Sequence, residues 1–235
     1  MSNDGNSGSG AALKLYDRMR SGNCYRARLM LALLALEYQR IAVNTAGGAS
    51  IFLGTHQPVR GDHPSQAHDD PARSGENSSA WFLARNPRGQ VPVLETDGKA
   101  IWDSIAIIVY LARRFGGEQW LPLEPHAMAG VTQWLILSQN ELLYGLAQCR
   151  GVLNMGRAGD LEKLHALAHA GLRPMEQRLA GHDWLAAERV TIADVACYPY
   201  VSLSEECGIE LEAYPAISGW LERFAALPGY VAIYQ

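Results

Sequence analysis

No apolar run in this 235-residue chain approaches the roughly 18 residues of a membrane-crossing helix, so a membrane-spanning protein is not expected. Cysteine is scarce. Cys24, Cys149, Cys197 and Cys207 stand far apart and lack the paired spacing of a zinc site. A chain of this length with scattered single thiols fits a reducing compartment, and a cytoplasmic location is expected. The first ten residues are rich in Gly, Ser and Asn and lack the basic and apolar regions of a secretory leader. Residues 1–12 read as a disordered lead. A clustered basic face is also missing, which argues against a nucleic-acid partner.

What is present is apolar and unevenly charged. Hydrophobic residues make up 48% of the chain and the net charge is -4. Residues 13–118 carry 13 Lys/Arg against 10 Asp/Glu, and residues 119–235 carry 7 against 13. The mildly positive first half would suit a small anion.

The pattern along the chain changes once. Leu13–Tyr16 alternates as a strand, 23–36 reads as a helix with Leu29, Leu33 and Leu36 on one face, and 38–43 reads as a second strand. After an interruption at 45–74, a helical turn starts near Ala80. Strands at 91–96 and 100–102 follow, joined at Asp97-Gly98, a dipeptide typical of tight hairpins. A helix over 103–115 ends at Gly116-Gly117. Beyond it the spacing predicts helices only, over 125–149, 160–179, 191–207 and 214–226. Thr191-Ile-Ala-Asp194 has capping-box spacing, and Pro199 should kink the helix that follows. The expected architecture is α/β plus all-α: a βαβ-α-ββα domain over 13–117, then an all-helical domain over 125–235. The stretch 45–74 is rich in Gly, Pro, His and Ser. His56, His63 and His68 with Asp62, Asp69 and Asp70 match no ligand signature there, so it reads as a solvated loop and no metal is expected.

The densest signal is Asn86-Pro-Arg-Gly-Gln-Val-Pro-Val-Leu94 followed by Trp102-Asp-Ser104. Pro92 cannot donate to a sheet ladder, and Val91-Pro92 is a candidate cis bond in a tight turn. Asp103-Ser104 opens a helix whose first N–H groups have no partner within it. A backbone edge beside an anion-binding helix start suits a small acidic peptide.

These segments together resemble the cytosolic glutathione S-transferase family over nearly the whole chain from Leu13. Ser21-Gly-Asn-Cys-Tyr25 resembles the catalytic loop of bacterial members, and the first domain is then thioredoxin-like, with 45–74 as an insertion. The resemblance implies glutathione as co-substrate. Val91 would pair with its cysteinyl part as an added strand, and Pro92 would be the cis proline that turns those groups outward. Asp103 and Ser104 would hold the γ-glutamyl end, and Gln90 the glycyl end. Asp103 stands where many members have Glu, and its shorter arm would shift that contact or route it through water.

Transferase chemistry needs a thiolate. A free thiol titrates near 8.5, and lowering that by about two units takes roughly 2.7 kcal/mol. Ser21, Asn23 and Cys24 are the candidate catalytic residues: a hydroxyl, an amide or cap, and a thiol placed where a C-x-x-C motif has its second cysteine. Trp134, Tyr144 and Met155 are candidates for an apolar wall. The implied function is conjugation of glutathione to a small electrophile. The alternatives are a glutathione-dependent disulfide reductase and a non-catalytic binding protein. Family members usually pair as two-fold dimers, so a homodimer is expected.

Overall fold

The computed structural model describes residues 13–45 and 75–234. The expected lead at 1–12, all but Thr45 of the 45–74 insertion, and the His/Asp stretch within it lie outside these residues.

Strand β1 (Leu13–Asp17) leads into helix α1 (Gly22–Leu33) and strand β2 (Tyr38–Ala42). A short helix α2 (Ala80–Leu83) precedes β3 (Val93–Thr96) and β4 (Lys99–Trp102), then α3 (Ser104–Leu111). The sheet order is β2-β1-β3-β4, with β1 and β2 parallel and the other pairs antiparallel. Pro92 leaves the third strand two residues shorter than its apolar run predicts, because it offers no N–H to the ladder. The remaining helices are α4 (Pro125–Leu137), α5 (Gln148–Met155), α6 (Leu161–Leu179), α7 (Ile192–Val201) and α8 (Pro215–Ala225). A π-helical stretch, Ser138–Ala147, joins α4 to α5, so this helical rod runs six residues past its expected end at 149.

Helix ends follow local chemistry. Glu124 caps α4 by accepting from His126 and Ala127 N–H at 3.0 and 2.7 Å, with Pro125 at the first helical position. Helix α1 stops at Leu33, short of the predicted Leu36, because Ala35 takes a left-handed conformation (φ 52°). Helix α7 carries Pro199 without breaking but ends two residues later at Val201, where the pattern predicts helix to 207.

Ile107, Ile108 and Leu111 are fully buried, as the α3 periodicity predicts. One apolar core runs from Leu15 of the sheet through α1 and α3 to Trp220 and Phe224 of α8. Each fully buried side chain of this size contributes about 2 kcal/mol. The C-terminal segment returns to α1, where the Tyr25 hydroxyl donates to the Val231 carbonyl at 2.9 Å and Arg28 donates to that of Ile233 at 2.8 Å. Arg28 also pairs at 2.6 Å with the fully buried Asp17, which Arg40 holds from the other side. Removing one partner of such a buried pair costs about 3–5 kcal/mol. The result fixes the end of β1 and the start of α1, which frame the site.

Candidate functional site

The two halves read separately from the sequence meet at the starts of α1 and α3. Ser104 Oγ donates to Asn23 Oδ1 at 3.2 Å, bridging the helices. Each start is built differently.

At α1, Ser21 is the N-cap and its hydroxyl oxygen accepts from Cys24 N–H at 3.3 Å. Cys24 Sγ also accepts from Arg18 N–H at 3.4 Å. Cys24 is fully buried. Burial, and next the Asp17 carboxylate, push its thiol far above the ordinary range. Cys24 thus packs in the core, and its surroundings favour the protonated thiol.

Asn23 is half-buried and lies in a network. Its Oδ1 accepts from Arg26 Nη1 at 3.1 Å, from the Tyr200 hydroxyl at 2.9 Å and from Ser104. A guanidinium can only donate, so the amide orientation is fixed with oxygen inward. Nδ2 then points away from the network, and among the described residues it has no partner. Arg26 is completely buried. It donates to Ser104 Oγ at 2.7 Å and to the Ala196 carbonyl at 3.0 and 2.7 Å, and its guanidinium lies 5.5 Å from the Tyr200 ring centre. Among the described residues no carboxylate pairs with it directly, though the Asp103 carboxylate acts on it from a distance, and burial pulls its pKa below the usual arginine range. A buried cation under Asn23 and Ser104, with no directly paired carboxylate among the described residues, is a local feature that favours an anion beside it. Tyr200 reaches Asn23 because residue 22 is glycine: a Cβ at Gly22 would lie 2.6 Å from Tyr200 Cε1.

At α3, Asp103 is the cap, with φ 77°, and accepts from Ile105 N–H at 2.9 Å. Its second oxygen lies 3.6 Å from Arg88 Nη1. The Val91–Pro92 bond is cis. Val91 lies just outside β3, and among the described residues its backbone N–H and C=O make no hydrogen bond, which leaves an edge for an added strand. The turn before it is held by Asn86 Nδ2 donating to the Gln90 carbonyl at 2.6 Å and by Asn77 Nδ2 donating to that of Gly89 at 2.8 Å. Gln90 itself is half-buried.

Three further arginines border the α1 loop. Arg150 donates to the Arg20 carbonyl at 3.0 Å and pairs with Glu206 at 2.6 Å. Arg18 donates to Thr45 at 2.7 Å. Arg157 sits on the α5–α6 connection, with Arg18, Tyr200 and Arg150 as its electrostatic neighbours. Sequence reading missed Arg26, Tyr200 and Arg157. The signal for Arg26 was a basic residue inside a helix that is otherwise apolar toward the core.

The Trp134 carbonyl faces Cys197, and Tyr144 is exposed. At the base of α7, Thr191 and Asp194 form the predicted capping box. Among the described residues, no group of three or more His, Cys, Asp or Glu could hold a metal ion. No described helix is long and apolar enough to cross a membrane.

Residues 20–114 match the family model described as glutathione S-transferase, N-terminal domain, and residues 154–228 that described as glutathione S-transferase, C-terminal domain. The chain is 30% identical over 228 residues to maleylacetoacetate isomerase of Pseudomonas aeruginosa, covering 93% of both chains. It is 30% identical over 151 residues to glutathione S-transferase D6 of Drosophila melanogaster, covering 63% of this chain and 70% of that one. Among solved structures, a glutathione S-transferase from Pseudomonas fluorescens superposes with a TM-score of 0.77 at 33% identity, covering 95% of this chain and 99% of that one.

Proposed function

We propose, from the premise that the chain belongs to the glutathione S-transferase family, that it conjugates the glutathione thiolate to a small electrophile, with Asn23 as the group that faces the sulfur. The observation that carries this reading is the inward lock of Asn23 Oδ1 by three donors. It leaves the Nδ2–H donors for an anion, above a buried Arg26 that pairs directly with no carboxylate among the described residues. A hydrogen bond to the charged form and a nearby cation both lower a thiol pKa. Ser21 is the second candidate. Its oxygen already serves the helix cap and its hydroxyl lies beside Cys24, so its contribution is smaller.

In this reading glutathione lies along the Val91 edge, pairing through the backbone as an added strand. The first N–H groups of α3 take its γ-glutamyl carboxylate, Asp103 faces its ammonium, and Gln90 faces its glycyl end. The bound thiolate attacks the electrophile: the C–S bond forms and the leaving group departs with its electron pair. The homodimer and the cytoplasmic location belong to this proposal. A monomeric mass by light scattering at micromolar concentration would remove the dimer from it. Because Cys24 is buried, disulfide reduction at this site would have to run on glutathione thiols alone.

Calorimetric titration with glutathione tests the reading. Saturable binding at or below the millimolar range, weakened by Ser104→Pro, is expected. No heat of binding up to several millimolar would overturn it.

A further inference from the structure

The Arg157 guanidinium has no hydrogen bond or ion pair among the described residues. Arg157 packs over Gly151: its backbone N–H donates to the Gly151 carbonyl at 3.1 Å, and a Cβ at Gly151 would meet its Cδ at 2.8 Å. The side chain is half-buried and its Nε is buried without a hydrogen-bond acceptor. Burying a donor without an acceptor costs about 1–3 kcal/mol, and more when it is charged. Its surroundings make this worse. Burial, and next Arg18, pull its pKa down, with Arg150 adding to the repulsion. Glu206 and the Tyr234 hydroxyl are already engaged by Arg150. Tyr200 lies between the two sets of residues: its hydroxyl donates to Asn23, and its phenol is also among the electrostatic neighbours of Arg157. Arg150, next to Gly151 in sequence, reaches the Arg20 carbonyl at 3.0 Å, so Arg157, packed over Gly151, lies on the α5 side of the α1 loop.

We propose that Arg157, with Arg18 beside it and Tyr200 as the wall toward Asn23, forms an anion subsite for a carboxylate carried by the electrophilic second substrate. This rests on the transferase reading. A carboxylate would accept from the outer N–H groups of the guanidinium, for which the described residues supply no acceptor. It would also offset the repulsion among the arginines.

The carboxylate could instead be one of glutathione's own, and the test separates the two. The probes are 4-chloro-3,5-dinitrobenzoate and its neutral methyl ester. Glutathione displaces chloride from either: the C–S bond forms at the chlorinated carbon, chloride leaves with the bonding pair, and the thiol proton goes to solvent. In Arg157→Met the ratio of kcat/KM for the acid to that for the ester should fall about tenfold or more, Arg157→Lys should restore part of it, and calorimetric glutathione affinity should be retained. An equal loss on both probes, or a weakened glutathione affinity with the ratio preserved, would overturn the proposal. Titration of 3,5-dinitrobenzoate without glutathione supplies a second arm. Wild type should bind it more tightly than Arg157→Met. This arm holds even if glutathione fails to bind, an outcome that would sink the transferase reading and not the anion subsite. Equal affinity in the two proteins would sink the subsite.

Discussion

Arg26 and Arg157 both neighbour Tyr200, and they end in opposite states. Arg26 is fully buried, and its fork is taken up by Ala196, Ser104 and Asn23. Arg157 is only half-buried, yet its Nε has no acceptor. The difference is one of geometry. Arg26 lies on α1, whose interface with α3 and α7 brings acceptors from three elements to one point. Arg157 lies on a connection between helices, where its electrostatic neighbours are two cations, Arg18 and Arg150, and the Tyr200 phenol. A satisfied buried cation fixes its surroundings, here the orientation of the Asn23 amide. An unsatisfied one is left to interact with whatever enters.

The comparison breaks most severely at Arg26. Arg26→Met keeps much of the volume but strips the donors from Ala196, Ser104 and Asn23, and urea unfolding should show a loss of about 3 kcal/mol. The same change at Arg157 removes a buried donor that has no acceptor, so the unfolding midpoint should hold or rise. Comparable losses at both positions would erase the distinction.

Next in size is the group that the Arg26 network orients. Asn23→Ala should lower kcat/KM about 10²-fold, the usual cost of one donor to a developing or resident anion, and Ser21→Ala should cost less. The reverse order, measured on one electrophile under steady-state conditions, would move the sulfur contact to Ser21.

Asp194, on the same helix as Tyr200, is the anionic counterpart of Arg26. It is fully buried and accepts from Leu185 and Thr191 N–H and from Trp220 Nε1 at 3.0, 2.9 and 3.1 Å. Asp194→Asn should cost about 2 kcal/mol at neutral pH, because one of its two acceptor oxygens becomes a donor facing donors. Burial pushes its carboxyl up to about 6, above the ordinary 3.8. The folded chain then holds that proton more tightly than the unfolded one, so this group favours folding as pH falls from 6 towards 4 and opposes it as pH rises through 6. Denaturation midpoints across that window should show the slope in wild type and lose it in Asp194→Asn.

The smallest effect is expected at Tyr200, the residue between the two arginines. Tyr200→Phe removes one of the three donors to Asn23 Oδ1 and leaves the other two, so activity should fall only several-fold. A larger loss would mean that the phenol itself reaches a substrate.

What could be read from the sequence is what lies close together along it. Val91-Pro92 and Asp103-Ser104 announce a turn and a helix start by residue type, and Thr191 with Asp194 announces a cap by spacing. The meeting of Asn23 with Ser104 and Tyr200 spans 81 and 177 residues, and nothing local records it. Cys24 shows the same limit. Its position after Ser21 suggests chemistry, and only the packing of α1 against the sheet shows that its thiol is sealed in the core. The ends of α1 and α7 fell short of their apolar patterns for local reasons, a left-handed Ala35 in one case and a turn after Val201 in the other. Both are backbone choices that hydrophobic periodicity does not record.

The central claim is that Asn23, fixed by Arg26, lowers the pKa of a bound glutathione thiol. Ultraviolet absorbance of the thiolate, titrated against pH in the binary complex, measures this directly. Wild type should show the thiol lowered by about two units from its ordinary 8.5, with Asn23→Ala moving it most of the way back and Ser21→Ala moving it less. An unshifted thiol in wild type, or the same lowered value in Asn23→Ala, would contradict the account.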